Sequence, residues 1–378
     1  MAETKKEAAA AKAVALKPGA KFQTTFYANA RAGSAFRWRA THADGRRAPK
    51  VILCNDERVE PGQPCEVRVT AHKKPGSAAR GAIEVELVRV LSFVLEEGIW
   101  LPPVLKLKLE ALLDAGMNIL LDGPQGSGKT VLARAVARAL GMEYVFFNCS
   151  SVFEATDFLA SVQIRATESG GAETVWVQTD ILRAFEAARA APRRRFLVFL
   201  DEFNRCREMA RNGVMPALDS TRKMYNPITG KAEPIPENVA WIAAINNGAR
   251  FTGTTTVDPA QMDRFAPLKM GYPPEEEEVK ILARRHPEVS RKAVRRVVRA
   301  ANRVRGDREL GLDLSMRATD EACTLLGHPN FSDGADGGGD VLPDILKDTF
   351  CARVQGHWSD ASTDAGLMWK VVSAALAG

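Results

Sequence analysis

Hydrophobic spacing along the chain switches between two periods, and the switches mark out its elements. Near the middle, Asn118–Leu121 (NILL) is a short apolar run of the kind that fills a buried strand. After Lys129 the period changes: Val131, Leu132, Ala135, Val136 and Leu140 recur at helical spacing. Further apolar runs predict strands at EYVFFNCS (Glu143–Ser150), Phe196–Leu200 and Val239–Gly248. Buried strands alternating with helical stretches predict an α/β fold around a parallel sheet. From Glu275 the pattern is helical to the end, with two closing helices expected in residues 341–378. Ahead of the first strand, residues 91–117 read as helical segments broken at Leu101–Pro103. There Val104, Leu105, Leu107, Leu109, Leu112 and Leu113 offer an apolar face for the sheet.

Residues 22–90 have a different texture. Short alternating runs (KFQTTFYANA, AFRWRA, PKVILC, CEVRVT, AIEVELV) are separated by the turn signals ADGRR, EPGQP and KKPGS. They predict a small all-β domain of OB-like or TRAM-like barrel type. Residues 1–21, rich in alanine and lysine, read as a disordered or weakly helical tail. Two hairpins are expected further on. Val162–Gln178 has alternating arms around Ser169–Gly170–Gly171, and KMYNPITGKAEPI turns at Asn226–Pro227 and Thr229–Gly230. The resulting division is a tail (1–21), a small basic β domain (22–90), an α/β core (91–270) and an α-helical lid (271–378).

The junction between NILL and the helix after it carries the chemistry. GPQGSGKT, Gly123 to Thr130, has the spacing G-x-x-x-x-G-K-[ST] between a strand and a helix N-terminus. Backbone N–H groups and the helix dipole at such a junction favour a phosphate chain. Gly123, Pro124, Gln125, Gly126, Ser127, Gly128, Lys129, Thr130 and Val131 are therefore the expected nucleotide-binding residues. Lys129 reaches the β- and γ-phosphates, and the Thr130 hydroxyl is a ligand for Mg²⁺. The run Phe196–Leu200 ends in Asp201–Glu202, where Asp201 is the expected carboxylate for Mg²⁺ and Glu202 the expected general base that polarises water. Val239–Gly248 ends in Asn246–Asn247, an uncharged amide at a strand end. Arg264 in PAQMDRF and Arg317 in LDLSMRA are candidates to stabilise phosphate charge.

Taken in order, these residues resemble an AAA+ ATPase. DEFNR (Asp201–Arg205), DRF (Asp263–Phe265), GYPPEEE (Gly271–Glu277) and S-x-R (Ser315–Arg317) resemble signatures of the MoxR-type branch. The stretch NNGARFTGTTTVDPAQMDRF looks most like the CobS-type, cobaltochelatase small-subunit-like ATPases. The resemblance covers roughly residues 95–327. It implies a P-loop core with its parallel sheet sandwiched by helices, a helical lid, and ATP with Mg²⁺ as cofactors. It makes Asn246 the sensor ahead of Asn247, Arg264 an arginine finger acting on a neighbouring subunit, and Arg317 the second sensor. The branch usually has proline between Ser and Arg of S-x-R; Met316 stands here instead. The family further implies a ring, commonly hexameric, doing chaperone-like work on a protein client, often with a von Willebrand A-domain partner. The Val162–Gln178 hairpin matches an insertion of that branch that sits near the pore or face of the ring. The nucleotide base is expected near Glu97–Trp100.

Charge adds a second possibility. Residues 1–90 hold 17 Lys/Arg against 9 Asp/Glu, a balance of +8, so the rest of the chain is at −2. Arg37–Trp38–Arg39 places bases around an aromatic, and His72–Lys73–Lys74 and Arg46–Arg47 are expected in loops. A basic β domain of this kind is a candidate platform for DNA or RNA, against the alternatives of a solvated basic face or a protein-docking module. Val289–Arg305 carries seven Lys/Arg beside valines at helical spacing, an amphipathic lid helix with a solvated basic face or a nucleic-acid stripe. No apolar run reaches transmembrane length, six separated cysteines show no C-x-x-C pair, and five histidines show no ligand spacing. Cytoplasm, no membrane and no structural zinc are the expectations. SDGADGGGD (Ser332–Asp340) reads as a flexible loop, lacking the glutamate that calcium would need.

Overall fold

The wholly apolar runs become parallel neighbours in one sheet of the computed structural model. The structure describes residues 21–25, 27–28, 38–43, 46–54, 64–72, 82–90, 98–166, 170–246, 257–307, 309–312, 314–332 and 340–377. The chain forms two compact units, residues 1–97 and 98–378.

Among the described residues of the first unit, six strands run β1 (Lys21–Thr25), β2 (Tyr27–Ala28), β3 (Trp38–Ala43), β4 (Arg46–Cys54), β5 (Pro64–His72) and β6 (Ala82–Val90). They form one sheet in the order β1-β5-β6-β4-β3-β2. Its pairs are antiparallel except β4 with β6. Alternation shows in β5, where Cys65, Val67 and Val69 are buried while Arg68 and Thr70 are exposed. Arg46 and Arg47 open β4 and His72 closes β5, so these bases lie in strands and not in the expected loops. Trp38 and Arg39 open β3; Arg37, Lys73, Lys74 and residues 1–20 lie outside the described residues.

The second unit has a five-stranded parallel sheet: β7 (Ile119–Asp122), β8 (Glu143–Asn148), β11 (Phe196–Asp201), β14 (Val239–Ile245) and β15 (Ala266–Lys269). Their order is β15-β7-β14-β11-β8. The central strands β7, β11 and β14 are buried along nearly their whole length, as continuous apolar runs require. β15 was not legible as an apolar run because it is an edge strand. Only Ala266 and Leu268 are buried, and Pro267 takes an edge position that needs no ladder donor.

Helices α1 (Pro103–Asp114), α2 (Lys129–Ala139), α3 (Asp180–Ala190), α4 (Glu208–Leu218) and the one-turn α5 (Pro259–Met262) accompany this sheet. α1 buries a narrower face than its leucines suggest: Leu109 and Leu113 are buried, while Val104 is 74% and Leu107 44% exposed. The two expected hairpins are present as β9–β10 (Ala160–Ala166, Ala172–Gln178) and β12–β13 (Lys223–Asn226, Lys231–Pro234). Ser169 lies outside the described residues.

The helical C-terminal region comprises α6 (Glu275–Arg285), α7 (Arg291–Gly306), α8 (Met316–Gly327), α9 (Pro329–Ser332), α10 (Leu342–Thr349) and α11 (Asp364–Ala377). It has its own core, built on Val294, Val297, Val298, Ala301 and Val304 of α7, which recur at i, i+3, i+4. The basic face of α7 is met by acids: Glu276 faces Arg291 and Arg295, Glu275 faces Arg299, and Asp340 faces Arg296. Residues 333–339 of the expected loop lie outside the described residues.

Candidate active site

Three of the parallel strands deliver polar residues to one end of the sheet. β7 runs into the glycine loop, β11 ends in Asp201, and β14 is followed by Asn246. Ligands of open α/β sheets bind at this carboxyl end. One cleft there is lined by Gln125, Gly126, Ser127, Gly128, Lys129, Thr130, Val131, Asp201, Glu202, Asn246 and Arg317. Gly123 and Pro124 join it through their carbonyls, which accept from Lys129 Nζ at 2.7 and 2.8 Å. Arg264 does not line it. Its guanidinium donates to the Ala260 carbonyl and lies 3.9 Å from the Asp219 carboxylate.

The loop's glycines serve different needs. Gly126 sits at φ +71°, and a Cβ there would come 2.5 Å from the Ser315 Cβ. Gly123 has no such φ; its need is space, since a Cβ would come 2.5 Å from the Met270 carbonyl. The loop therefore closes against both the end of β15 and the start of α8.

Lys129 is 6% exposed, and burial lowers its pKa to about 8, against the pull of Asp201, Asp122 and Glu202; the Arg317 charge adds to the lowering. The Ser127 hydroxyl is buried in the same loop with no hydrogen-bond partner. A buried cation and an orphaned hydroxyl at a helix N-terminus fit a phosphate chain. The Thr130 hydroxyl donates to Asp201 Oδ2 at 3.0 Å, so two hard oxygen groups stand together beside the loop. That is the donor set Mg²⁺ takes when phosphates and water complete its shell.

Glu202 follows Asp201 in a left-handed conformation, φ 53° and ψ 40°. For a residue with a Cβ this conformation is costly, and it turns the chain sharply from β11 into the 3₁₀ turn Phe203–Arg205. The Glu202 carboxylate lines the cleft and lies 3.5 Å from Arg205 Nε. Asn204, 2% exposed, donates to the Asn246 carbonyl at 3.0 Å and accepts from the Asn246 N–H at 3.4 Å. It thus locks the strand end bearing Asn246 to the turn bearing Glu202. Sequence spacing placed Asn204 inside a motif without showing this role.

The same cleft is also lined by Gly98, Ile99, Trp100, Ile281 and Met316, and by the charged Arg285 and Asp320. Asp320 accepts from His286 at 3.0 Å and lies 3.6 Å from Arg285. The expected base-side segment thus contributes Gly98–Trp100, and Glu97 and Asn247 lie outside the described residues. Among the described residues no helix is long and apolar enough to cross a membrane, and no cluster of His, Cys, Asp and Glu suits a metal ion.

Comparison with known proteins agrees with this geometry. Residues 118–265 match the family model described as the AAA domain of the dynein-related subfamily. An uncharacterised protein of Staphylococcus saprophyticus is 30% identical over 167 residues, covering 43% of this chain and 59% of the relative. Uncharacterised proteins of Staphylococcus haemolyticus and Staphylococcus aureus match over the same length at 31% and 30% identity. The chain thus spans 59% of the length of these curated relatives. Residues 118–265 are thus similar to the AAA domains of a subfamily that includes MoxR-like ATPases.

Proposed function

We propose that this protein is a Mg²⁺-dependent ATPase of MoxR/CobS type that assembles into a ring and remodels a partner protein complex in the cytoplasm. The observation that carries the reading is the single cleft in which Lys129, Thr130, Asp201, Glu202, Asn246 and Arg317 meet while Arg264 stands outside. Lys129 and the loop N–H groups hold the phosphates. Thr130 and Asp201 would hold Mg²⁺, which would supply charge neutralisation to the phosphates. Glu202 takes the proton of the attacking water, and Asn246 orients that water. Arg317 meets the γ-phosphate from the lid side. Arg264 completes the cleft of the next subunit, where it stabilises transition-state charge.

A protein client is favoured over nucleic acid by the surface of the hairpins. The β9–β10 register pairs Val162 with Trp176 and Ile164 with Thr174, so Val162, Ile164 and Trp176 share one face. They are 51%, 77% and 44% exposed. Tyr225 and Ile228 are exposed on the second hairpin. Apolar and aromatic surface suits a polypeptide, and four of the α7 arginines that a nucleic-acid stripe would need, Arg291, Arg295, Arg296 and Arg299, already face carboxylates.

The deciding measurement is the ATPase rate of the purified full chain with Mg²⁺, alone and with DNA, RNA or co-purifying proteins. Glu202→Gln is expected to keep ATP binding and lose at least about 100-fold in turnover. Near-wild-type turnover by that variant would remove Glu202 as the base. Stimulation by DNA or RNA that vanishes on deleting residues 1–90 would replace the protein client with a nucleic-acid one.

A further inference from the structure

The lid contains a buried charged cluster that the chemistry above leaves unused. Glu278 of α6 is fully buried and meets Arg305 of α7 through both carboxylate oxygens, at 2.6 and 3.1 Å. The Thr319 hydroxyl of α8 donates to the same carboxylate at 2.8 Å. One carboxylate therefore ties three helices together. Burying such a pair is costly, so a fork-to-fork geometry with an extra donor is what makes it tolerable.

Arg305 does two further things, and both lead to the cleft. Its Nε donates to the Leu314 carbonyl at 2.7 Å, immediately before Ser315, the N-cap of α8. Its guanidinium carbon lies 4.2 Å from the centre of the Tyr272 ring. The Tyr272 hydroxyl in turn donates to the Gln125 carbonyl, in the phosphate-binding loop, at 2.8 Å. The loop is also in direct contact with α8, since there is no room for a Cβ between Gly126 and Ser315. Arg317 stands two residues beyond Ser315, on the first turn of α8.

We infer that Tyr272 and Arg305 are positioning residues that transmit the state of the phosphate-binding loop to Arg317. The path is Gln125 carbonyl, Tyr272 hydroxyl, Tyr272 ring, Arg305 guanidinium, Leu314 carbonyl, α8. A phosphate chain that reorders the loop shifts the Gln125 carbonyl, and with it the ring on which Arg305 rests. Arg305 cannot follow freely, because Glu278, itself held by Thr319, fixes it, so the displacement reaches the lid helices as a unit. This inference rests on the cleft being a nucleotide site.

Tyr272→Phe isolates the link, because it removes the hydroxyl and keeps the stacking ring. The readout is backbone hydrogen exchange in the full chain, with and without ADP and Mg²⁺. In wild type, ADP with Mg²⁺ is expected to slow exchange both in residues 124–130 and in residues 314–319. In Tyr272→Phe the first protection remains and the second is lost. Without nucleotide, exchange in residues 314–319 rises about two- to tenfold, the change one neutral hydrogen bond permits. Turnover should fall at nearly constant KM, and the loss should vanish in an Arg317→Ala background, where there is no arginine left to position. Unchanged exchange in residues 314–319, or losses that simply multiply with Arg317→Ala, would overturn the inference. A wild-type chain that binds no ADP would instead overturn the nucleotide reading, and the comparison without nucleotide would still decide whether the link exists.

Discussion

Glu202 adopts a conformation that residues with a Cβ avoid, and the neighbouring Asn204 spends its side chain on the backbone of Asn246. The two facts belong together: a strained turn holds only where its surroundings fix it. Replacing Asn204 by alanine strands a buried carbonyl and N–H at the end of β14. We expect a loss of roughly 1–3 kcal/mol in denaturant unfolding, with ATP turnover falling further than stability explains. An unaltered turnover would leave Asn204 with a purely structural role. The thiols give a second test at this scale. Cys149, Cys206, Cys323 and Cys351 are buried thiols outside any disulfide. Burial raises Cys149 well above the ordinary thiol range, Cys206 and Cys323 to about 12, and Cys351 to about 11. Between the unfolded value of 9.0 and these folded values, the unfolded chain releases protons that the folded chain keeps. Stability supplied by these groups is therefore complete below pH 9 and declines as pH rises toward 12. Lys129, lowered from 10.5 to about 8, acts in the opposite sense as one group against four. Native protein should resist a thiol reagent at pH 8 and unfolded protein should not. Rapid labelling of any of these four in the native state would contradict their burial.

At the scale of elements, α5 is too short to hold itself in place and is pinned from α4. Arg211 is fully buried; its Nε donates to Gln261 Oε1 at 2.9 Å and its Nη1 to the Cys206 carbonyl at 2.9 Å. Gln261 also donates to Asn212 at 2.8 Å. The turn that begins at Glu202 and the segment that carries Arg264 are thus bound to one guanidinium. Gln261→Leu should leave ATP affinity close to wild type and reduce turnover about 10- to 100-fold through a misplaced Arg264. A change in affinity alone would show that α5 serves the nucleotide cleft directly. None of this was legible in the sequence, because Arg211 and Gln261 lie 50 residues apart and each is an ordinary helix residue. What was legible had a local cause. The buried strands β7, β11 and β14 announced themselves as apolar runs, and the hairpins by their turn residues. The glycine loop's spacing is itself the physical requirement of a phosphate cradle. The failures were equally local: β15 is too short and too mixed to stand out, and the leucines of α1 overstate its buried face because Val104 and Leu107 remain exposed. Long-range hydrogen bonds such as Tyr272 to Gln125, 147 residues apart, leave no periodic trace.

For the whole molecule, the absence of Arg264 from its own subunit's cleft sets the decisive prediction. In the proposed ring, a cleft that its own Arg264 does not line is completed by a neighbour's Arg264, and head-to-tail contacts that close on themselves make such a ring. Glu202→Gln supplies an intact Arg264 to its neighbour but has no base of its own. Arg264→Ala keeps its base but supplies no arginine. Each should be nearly inactive alone. In a mixed ring, every contact that sets an Arg264→Ala cleft against a Glu202→Gln neighbour regains both groups. Random equimolar mixing makes about one contact in four productive, so activity should recover to about a quarter of wild type under assembling conditions. Recovery should depend on protein concentration, because it requires exchange of subunits, and dilution below the assembly threshold should abolish it. If Arg264 instead served its own cleft after a rearrangement, both variants would stay inactive in any proportion. Two inactive proteins that become active on mixing admit a shared site and exclude a self-sufficient one, whatever the number of subunits in the ring.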